Sequence, residues 1–255
     1  MSDVPILPAA TILLVRDDPA FEVLMVKRHH QIDFASGALV FPGGKTHAGD
    51  HDPRWMDRSV GWAGVAAEKR PLRIAAIREA YEERGILLVQ RADGSPYRAD
   101  ERAHLARDVI AKDQRSFLDL VEELDVKLDL AALTVFARWI TPPLTPKRFD
   151  TWFYVARAPE DQIASCDGWE TVDAEWVTPK EVLRMAAAKE RTVIFPTRMN
   201  VQLLAEASSA ADVVARAEAR PLVTVLPEVQ GDFLVIPPDA GYGPIREPMS
   251  AVRGR

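Results

Sequence analysis

Apolar residues fall in short runs separated by turn residues, then recur at helical spacing in the middle of the chain. Runs at 9–15 and 21–26 flank Arg16-Asp17-Asp18-Pro19 and predict a hairpin. A third run, 38–41, stops at Pro42-Gly43-Gly44, where two glycines permit backbone geometry closed to other residues. From 45 to 69 no period survives, which predicts a long loop or insertion. Pro71 then opens a helix that meets no breaker before Gly85, with 86–89 as a buried strand after it. Two exposed helices, 100–112 and 114–124, read as a helical excursion over about 97–125. Strands at 133–140 and 151–156 flank a proline-rich loop, and 174–177 is a short strand. Thr178 and Pro179 start a helix that runs to about 189. Helices near 196–207 and 209–220, strand-like 222–226 and 233–236, and a Gly- and Pro-rich tail complete the chain. Strands interleaved with helices in mixed order predict an α+β or α/β sandwich, with 191–255 as a C-terminal extension packed on the domain formed by 1–190.

Composition narrows the function classes. A net charge of −6 argues against nucleic-acid binding through bulk charge, because phosphate neutralisation needs a basic face. One cysteine, Cys166, supplies neither an internal disulfide nor a thiolate cage for zinc. No secretory signal and no membrane-spanning run is visible, so a soluble, cytoplasmic protein with no membrane partner is expected; a homodimer is compatible with the sequence.

The chemistry concentrates in Arg78-Glu79-Ala80-Tyr81-Glu82-Glu83-Arg84-Gly85. At 100° per residue Glu79, Glu82 and Glu83 fall within an arc of about 100°, while Ile74, Ala76, Ile77, Ala80 and Tyr81 form another arc that can pack on a sheet. Each like-charge pair on such a turn costs about 0.2–0.5 kcal/mol in water. A solvated acidic face with an Arg78–Glu82 pair is one reading. A hard divalent cation, Mg²⁺ or Mn²⁺, gripped by the carboxylate oxygens is the other. With each residue type at about 6% usage, the fixed positions of this segment arise by chance on the order of once in 10⁴ chains of this length.

The segment resembles the box of the Nudix hydrolase family, Gly-x5-Glu-x7-Arg-Glu-apolar-x-Glu-Glu-x-Gly-apolar. Gly44 matches its opening glycine, and Arg78, Glu79, Glu82, Glu83, Gly85 and Ile86 its second half. Gly44 and Arg78 stand about 20 residues further apart than in that pattern. Eight residues before Arg78, where the box has its first glutamate, this chain has Arg70, so Glu68, Asp50 and Asp52 are candidate replacements. The long insert, Trp139-Ile140-Thr141-Pro142 and Arg148-Phe149-Asp150-Thr151 are similar to the branch that contains the peroxisomal coenzyme A diphosphatase. Arg28, Gly37 and 41–44 keep the spacing of a coenzyme A pyrophosphatase motif, with His29 and Asp33 departing from it.

The resemblance implies a Nudix-type α/β/α sandwich with a mixed sheet, a box insertion at about 45–70 and added helices. It implies a Mg²⁺- or Mn²⁺-dependent diphosphatase acting on a small nucleotide-linked diphosphate, coenzyme A or an acyl derivative first. ADP-ribose, NADH or nucleotide sugars as substrates, or a non-catalytic nucleotide-sensing module, are the alternatives. Glu79, Glu82 and Glu83 are then the metal ligands, with Glu79 and Glu82 in catalysis. Glu170 is the candidate general base, against an exposed loop acid. Arg78 is expected to orient a glutamate, and Gly85 to end the helix. Gly43 and Gly44 let backbone groups approach metal or phosphate, against a plain tight turn. Arg28 and Arg148 are candidates for phosphate contacts, where a guanidinium fork suits anions, and Arg148 equally for an ion pair with Asp150. Trp139, Trp152 and Trp176 read as packing residues; Phe34, Trp55 and Trp62 are freer to cover a ligand. His47 and His51 read as solvated loop residues. The C-terminal residues 252–255 are not a peroxisomal address of the Ser-Lys-Leu type.

Overall fold

The computed structural model describes residues 4–28, 37–98, 101–160 and 171–249. The first run of apolar residues becomes β1 (Ile6–Arg16). Its side chains alternate between two covered faces: Ala10, Ile12 and Leu14 join one core, Leu13 and Val15 the other. A strand buried on both sides reads as a continuous apolar run, which is why no polar alternation marks it. The predicted hairpin forms with β2 (Glu22–Arg28), antiparallel with Val15 opposite Val23. Two short strands follow, β3 (Leu39–Val40) on β2 and β4 (Gly43–Lys45) on β1.

The insertion is ordered rather than a free loop. It folds into a string of tight 3₁₀ turns, with one short strand, β5 (Ser59–Val60). Aperiodic sequence hides these turns because each needs only an i→i+3 bond and a local cap. Trp55 is 1% exposed, donates from Nε1 to the Gly49 carbonyl at 2.9 Å, and packs on Phe117. It is a core residue and not a ligand cover.

The long helix is α1 (Arg70–Arg84), closed by Gly85 at φ 70°. Residues 86–88 are buried as expected, but the strand itself, β6 (Val89–Arg91), starts at Val89. Next come α2 (Glu101–Ala111), α3 (Phe117–Glu123) and β7 (Val126–Asp129). These helices are not an exposed excursion. Ala103, Ala106, Ile110, Phe117, Leu120 and Val121 pack with α1, and only their outer sides, Leu105 foremost, meet water. Arg54 pairs with Glu122, Arg58 with Asp125, and β5 lies parallel to β7, so the insertion is pinned to this layer.

The main sheet is completed by β8 (Thr134–Ile140), β9 (Arg148–Arg157) and β10 (Thr171–Val177). After the helices α4 (Pro179–Ala187), α5 (Phe195–Leu204) and α6 (Ala210–Ala219) comes a last edge strand, β11 (Thr224–Val225). Among the described residues the order is β10-β2-β1-β9-β8-β11, with β1–β9 and β8–β11 parallel and the other pairs antiparallel. One face is covered by α1 to α3, the other by α4 to α6: an α/β/α sandwich with a mixed sheet, as expected. Trp139 and Trp152 are buried, as packing residues should be.

The tail is also docked. A small antiparallel sheet of β12 (Glu228–Gln230), β13 (Phe233–Val235) and β14 (Arg246–Pro248) closes the second core. Trp139 Nε1 donates to Tyr242 Oη at 3.0 Å, which donates to Asn200 Oδ1 at 2.8 Å. Glycine and proline there shape turns between strands rather than leaving the segment loose. Among the described residues no helix is long and apolar enough to cross a membrane.

Candidate functional site

The site grows from the last two turns of α1. Gly85 donates to the Tyr81 carbonyl and Ile86 to that of Ala80, so the helix stops just past Glu82 and Glu83. Carboxylates there face the negative end of the helix dipole, each at an unfavourable ~0.3–1 kcal/mol. Eleven of the fifteen residues of α1 are buried, Arg78, Glu79 and Glu83 among them. The solvated acidic face is therefore excluded.

Arg78, 4% exposed, is the hub. Its Nη1 donates to Glu79 Oε1 at 2.9 Å and to Glu82 Oε2 at 2.8 Å. Its Nε and Nη2 grip Asp50 at 3.0 and 3.2 Å, and Nη2 also reaches the Lys45 carbonyl at 2.9 Å. Burial alone would lower the pKa of this guanidinium; Glu79, Asp50 and Glu82 outweigh that and hold it firmly protonated. Glu82 is pushed up to about 8, chiefly by burial, with Arg78 opposing and Glu79 adding to the rise. Three acids, Asp50, Glu79 and Glu82, thus crowd about the Arg78 guanidinium.

The other wall is β4, fixed by pairing Gly44 with Ala10 and Gly43 with Thr11 of β1. Neither glycine has positive φ, so conformational freedom is not their role here. They provide room. A Cβ on Gly44 would lie 2.6 Å from Glu79 Cδ, and one on Gly43 2.6 Å from the Ala10 carbonyl oxygen. The Glu79 carboxyl thus rests directly against the Gly44 backbone.

Among the described residues no three or more His, Cys, Asp or Glu side chains converge in metal-ligand geometry. Glu79 and Glu82 are turned onto Arg78 instead. The donor set nonetheless fits a hard divalent cation. Glu79, Glu82 and Glu83 offer only oxygens within one turn, beside a main-chain wall that a methyl group would fill.

Of the three candidates for the first box acid, Asp50 enters the site. It is 2% exposed and fixed by the His47 amide at 2.7 Å. Asp52 instead caps the next turn and pairs with Arg54, and Glu68 is exposed. Counting six residues forward from Gly44 lands on Asp50, so the insertion lies after this acid; counting back from Arg78 misses it. Arg148 does not pair with Asp150. Its Nε donates to the Thr141 carbonyl at 3.0 Å, and Arg138 takes Asp150 at 2.7 Å because the two residues stand on adjoining strands. Arg28 ends β2, its side chain outside the described set; Glu170 and Phe34 also lie outside the described residues. The Trp62 ring lies under the Arg70 guanidinium, 4.4 Å away.

The chain is similar to the crystal structure of a Nudix hydrolase from Alicyclobacillus acidocaldarius: TM-score 0.71, 25% identity, 84% of this chain and 97% of that one. It is 29% identical to the acyl-coenzyme A diphosphatase NUDT19 of Homo sapiens, over 78% of this chain and 64% of the relative. It is 25% identical to the protein of the same name from Xenopus laevis, over 64% of this chain and 54% of the relative. The chain thus spans less than two thirds of the length of these curated relatives. The NUDT19 Nudix domain model matches residues 63–203, more than half of the chain and all of α1 with its acidic turn, and on that ground the protein belongs to the Nudix family, in its NUDT19 branch.

Proposed function

We propose that the chain is a divalent-cation-dependent diphosphatase that cleaves the diphosphate bond of coenzyme A or an acyl-coenzyme A. The observation that carries this reading is the buried acidic turn of α1, organised by Arg78 and pressed against Gly44. The printed names of the NUDT19 relatives point to the substrate. Glu79, Glu82 and Glu83 would hold Mg²⁺ or Mn²⁺, and such an ion, when bound, neutralises diphosphate charge and activates water.

The chain's own residues prepare that site. Asp50 anchors the Arg78 fork, and Arg78 sets the Glu79 and Glu82 carboxylates on one side of the helix. Glu82, pushed up to about 8 chiefly by burial, would have to give up its proton to serve as a ligand. Arg148 keeps Nη1 and Nη2 for a phosphate while Nε is engaged, and Arg28 is the second phosphate contact. Glu170 is the general base of this reading. Water adds to one phosphorus, and the bridging oxygen leaves with the other phosphate.

The test is a panel of coenzyme A, an acyl-coenzyme A, ADP-ribose, NADH and a nucleotide sugar, with Mg²⁺ and with Mn²⁺, read by product mass. Coenzyme A should yield 3′,5′-ADP and phosphopantetheine. Intact coenzyme A beside cleaved ADP-ribose overturns the substrate. A panel left wholly intact overturns the enzyme.

A further inference from the structure

A second charged cavity lies on the other side of α1. At 100° per residue Arg73 projects about 180° around the helix from Glu82. It lines a cavity of about 360 Å³ with Gly61, Val65, Leu133, Val135 and Glu218. An adjoining cavity of about 280 Å³ shares Thr134, Val135 and Glu218 and adds Phe136, Arg220 and Leu222. Together they form a groove along the start of β8, with an arginine at each end and aliphatic walls between.

Both arginines are half-buried and neither has a carboxylate partner among the described residues. Arg73 spends Nη1 on the Leu130 carbonyl at 2.6 Å and on that of Leu133, while its buried Nε meets no acceptor. Arg220 Nη2 donates to the Phe136 carbonyl. Burial disfavours the charge of each; the Tyr154 ring 5.3 Å from Arg73, and for Arg220 the Phe136 ring at 5.0 Å with Tyr242 and Glu206 further off, oppose this without supplying a hydrogen-bonded carboxylate. Glu218 is exposed at the rim, where water screens it. A guanidinium withdrawn from water without an anion carries a desolvation penalty that a bound anion relieves. The rows of hydrogens still free on each fork suit carboxylates.

We propose that this groove binds a small dicarboxylate, one carboxylate on Arg73, the other on Arg220, and the methylenes against Val65, Val135 and Leu222. Arg73 is held at the Leu133 carbonyl and Arg220 at the Phe136 carbonyl; at about 3.3 Å per residue these anchors stand about 10 Å apart, a gap that a diacid of up to six carbons bridges with a hydrogen bond at each end. The site is separate from the acidic turn and requires no cation bound at that turn.

Calorimetric titration of the full chain with adipate, acetate and inorganic phosphate tests it. Adipate should bind saturably, about tenfold or more tighter than acetate or phosphate, because two charged ends are matched. Arg220→Gln and Arg73→Lys should each weaken adipate about tenfold, and Glu82→Gln should leave it unchanged. Three outcomes overturn the proposal: wild-type protein that never saturates with adipate, Arg220→Gln binding it as wild type does, or Glu82→Gln abolishing it. If Arg73→Lys fails to fold, Arg220→Gln alone decides.

Discussion

Gly44→Ala should separate function from folding. The added Cβ would sit 2.6 Å from Glu79 Cδ and 2.7 Å from Oε2, where ordinary contact is 3.4–4 Å. The carboxyl is the mobile end of its side chain, so it retreats by about 1 Å and leaves the 2.9 Å contact with Arg78. Backbone φ at Gly44 is ordinary, and alanine stiffens the unfolded chain by about 0.4–1 kcal/mol, which offsets much of the crowding. Thermal stability should therefore shift little, while turnover in the proposed diphosphatase reaction should fall about 100-fold, the cost of misplacing a site group by about 1 Å. Gly43→Ala is the contrast. Its Cβ would meet the Ala10 carbonyl oxygen at 2.6 Å and Thr11 Cα at 2.8 Å, backbone that cannot retreat without unpairing β4 from β1. That variant should lose about 1–3 kcal/mol of stability. Melting followed by circular dichroism, with turnover measured on the same samples, checks both. Wild-type turnover in Gly44→Ala, or a melting point below that of Gly43→Ala, refutes the reasoning.

Arg78→Ala strips the cation from buried Asp50 and Glu79 and half-buried Glu82 and should cost about 3–5 kcal/mol in urea denaturation, partly recovered by added Mn²⁺. Equal stability with and without Mn²⁺ would contradict it. Glu82 titrates at about 8 in the cation-free fold against 4.5 as its ordinary value, so the folded state holds more protons between those values. Its contribution to stability is present below pH 4.5 and is lost as pH rises through 8; melting should fall from pH 6 to pH 9, a drop that vanishes in Glu82→Gln. Trp55→Ala empties a fully buried site against Phe117 and frees the turn that carries Asp50. It should cost about 3–5 kcal/mol; a loss within 0.5 kcal/mol or so would show the insertion to be no part of the core.

What the sequence disclosed follows from where its signals are local. Pro71, the unbroken run to Arg84 and Gly85 mark α1 through caps and propensity, which depend on neighbours in the chain. The acids on one turn follow from helix geometry alone. Asp50 stood as one of three candidates, with Glu68 and Asp52, because an insertion displaced it from Arg78 in sequence while leaving it against Arg78 in space. Trp55 gave no periodic signal, since its burial depends on Phe117 of a distant helix. The docking of the tail through Tyr242, Asn200 and Trp139 likewise rests on contacts between elements far apart in the chain.

The proposed function requires the acidic turn of α1 to grip a divalent cation. Titrating the protein into Mn²⁺ and following the free-ion electron paramagnetic resonance signal tests it without any substrate. Wild-type protein should quench the signal saturably, and Glu82→Gln should weaken binding about tenfold or more. Loss of Mn²⁺ signal to the same extent in Glu82→Gln, or no loss with the wild type, would contradict the assignment of this turn.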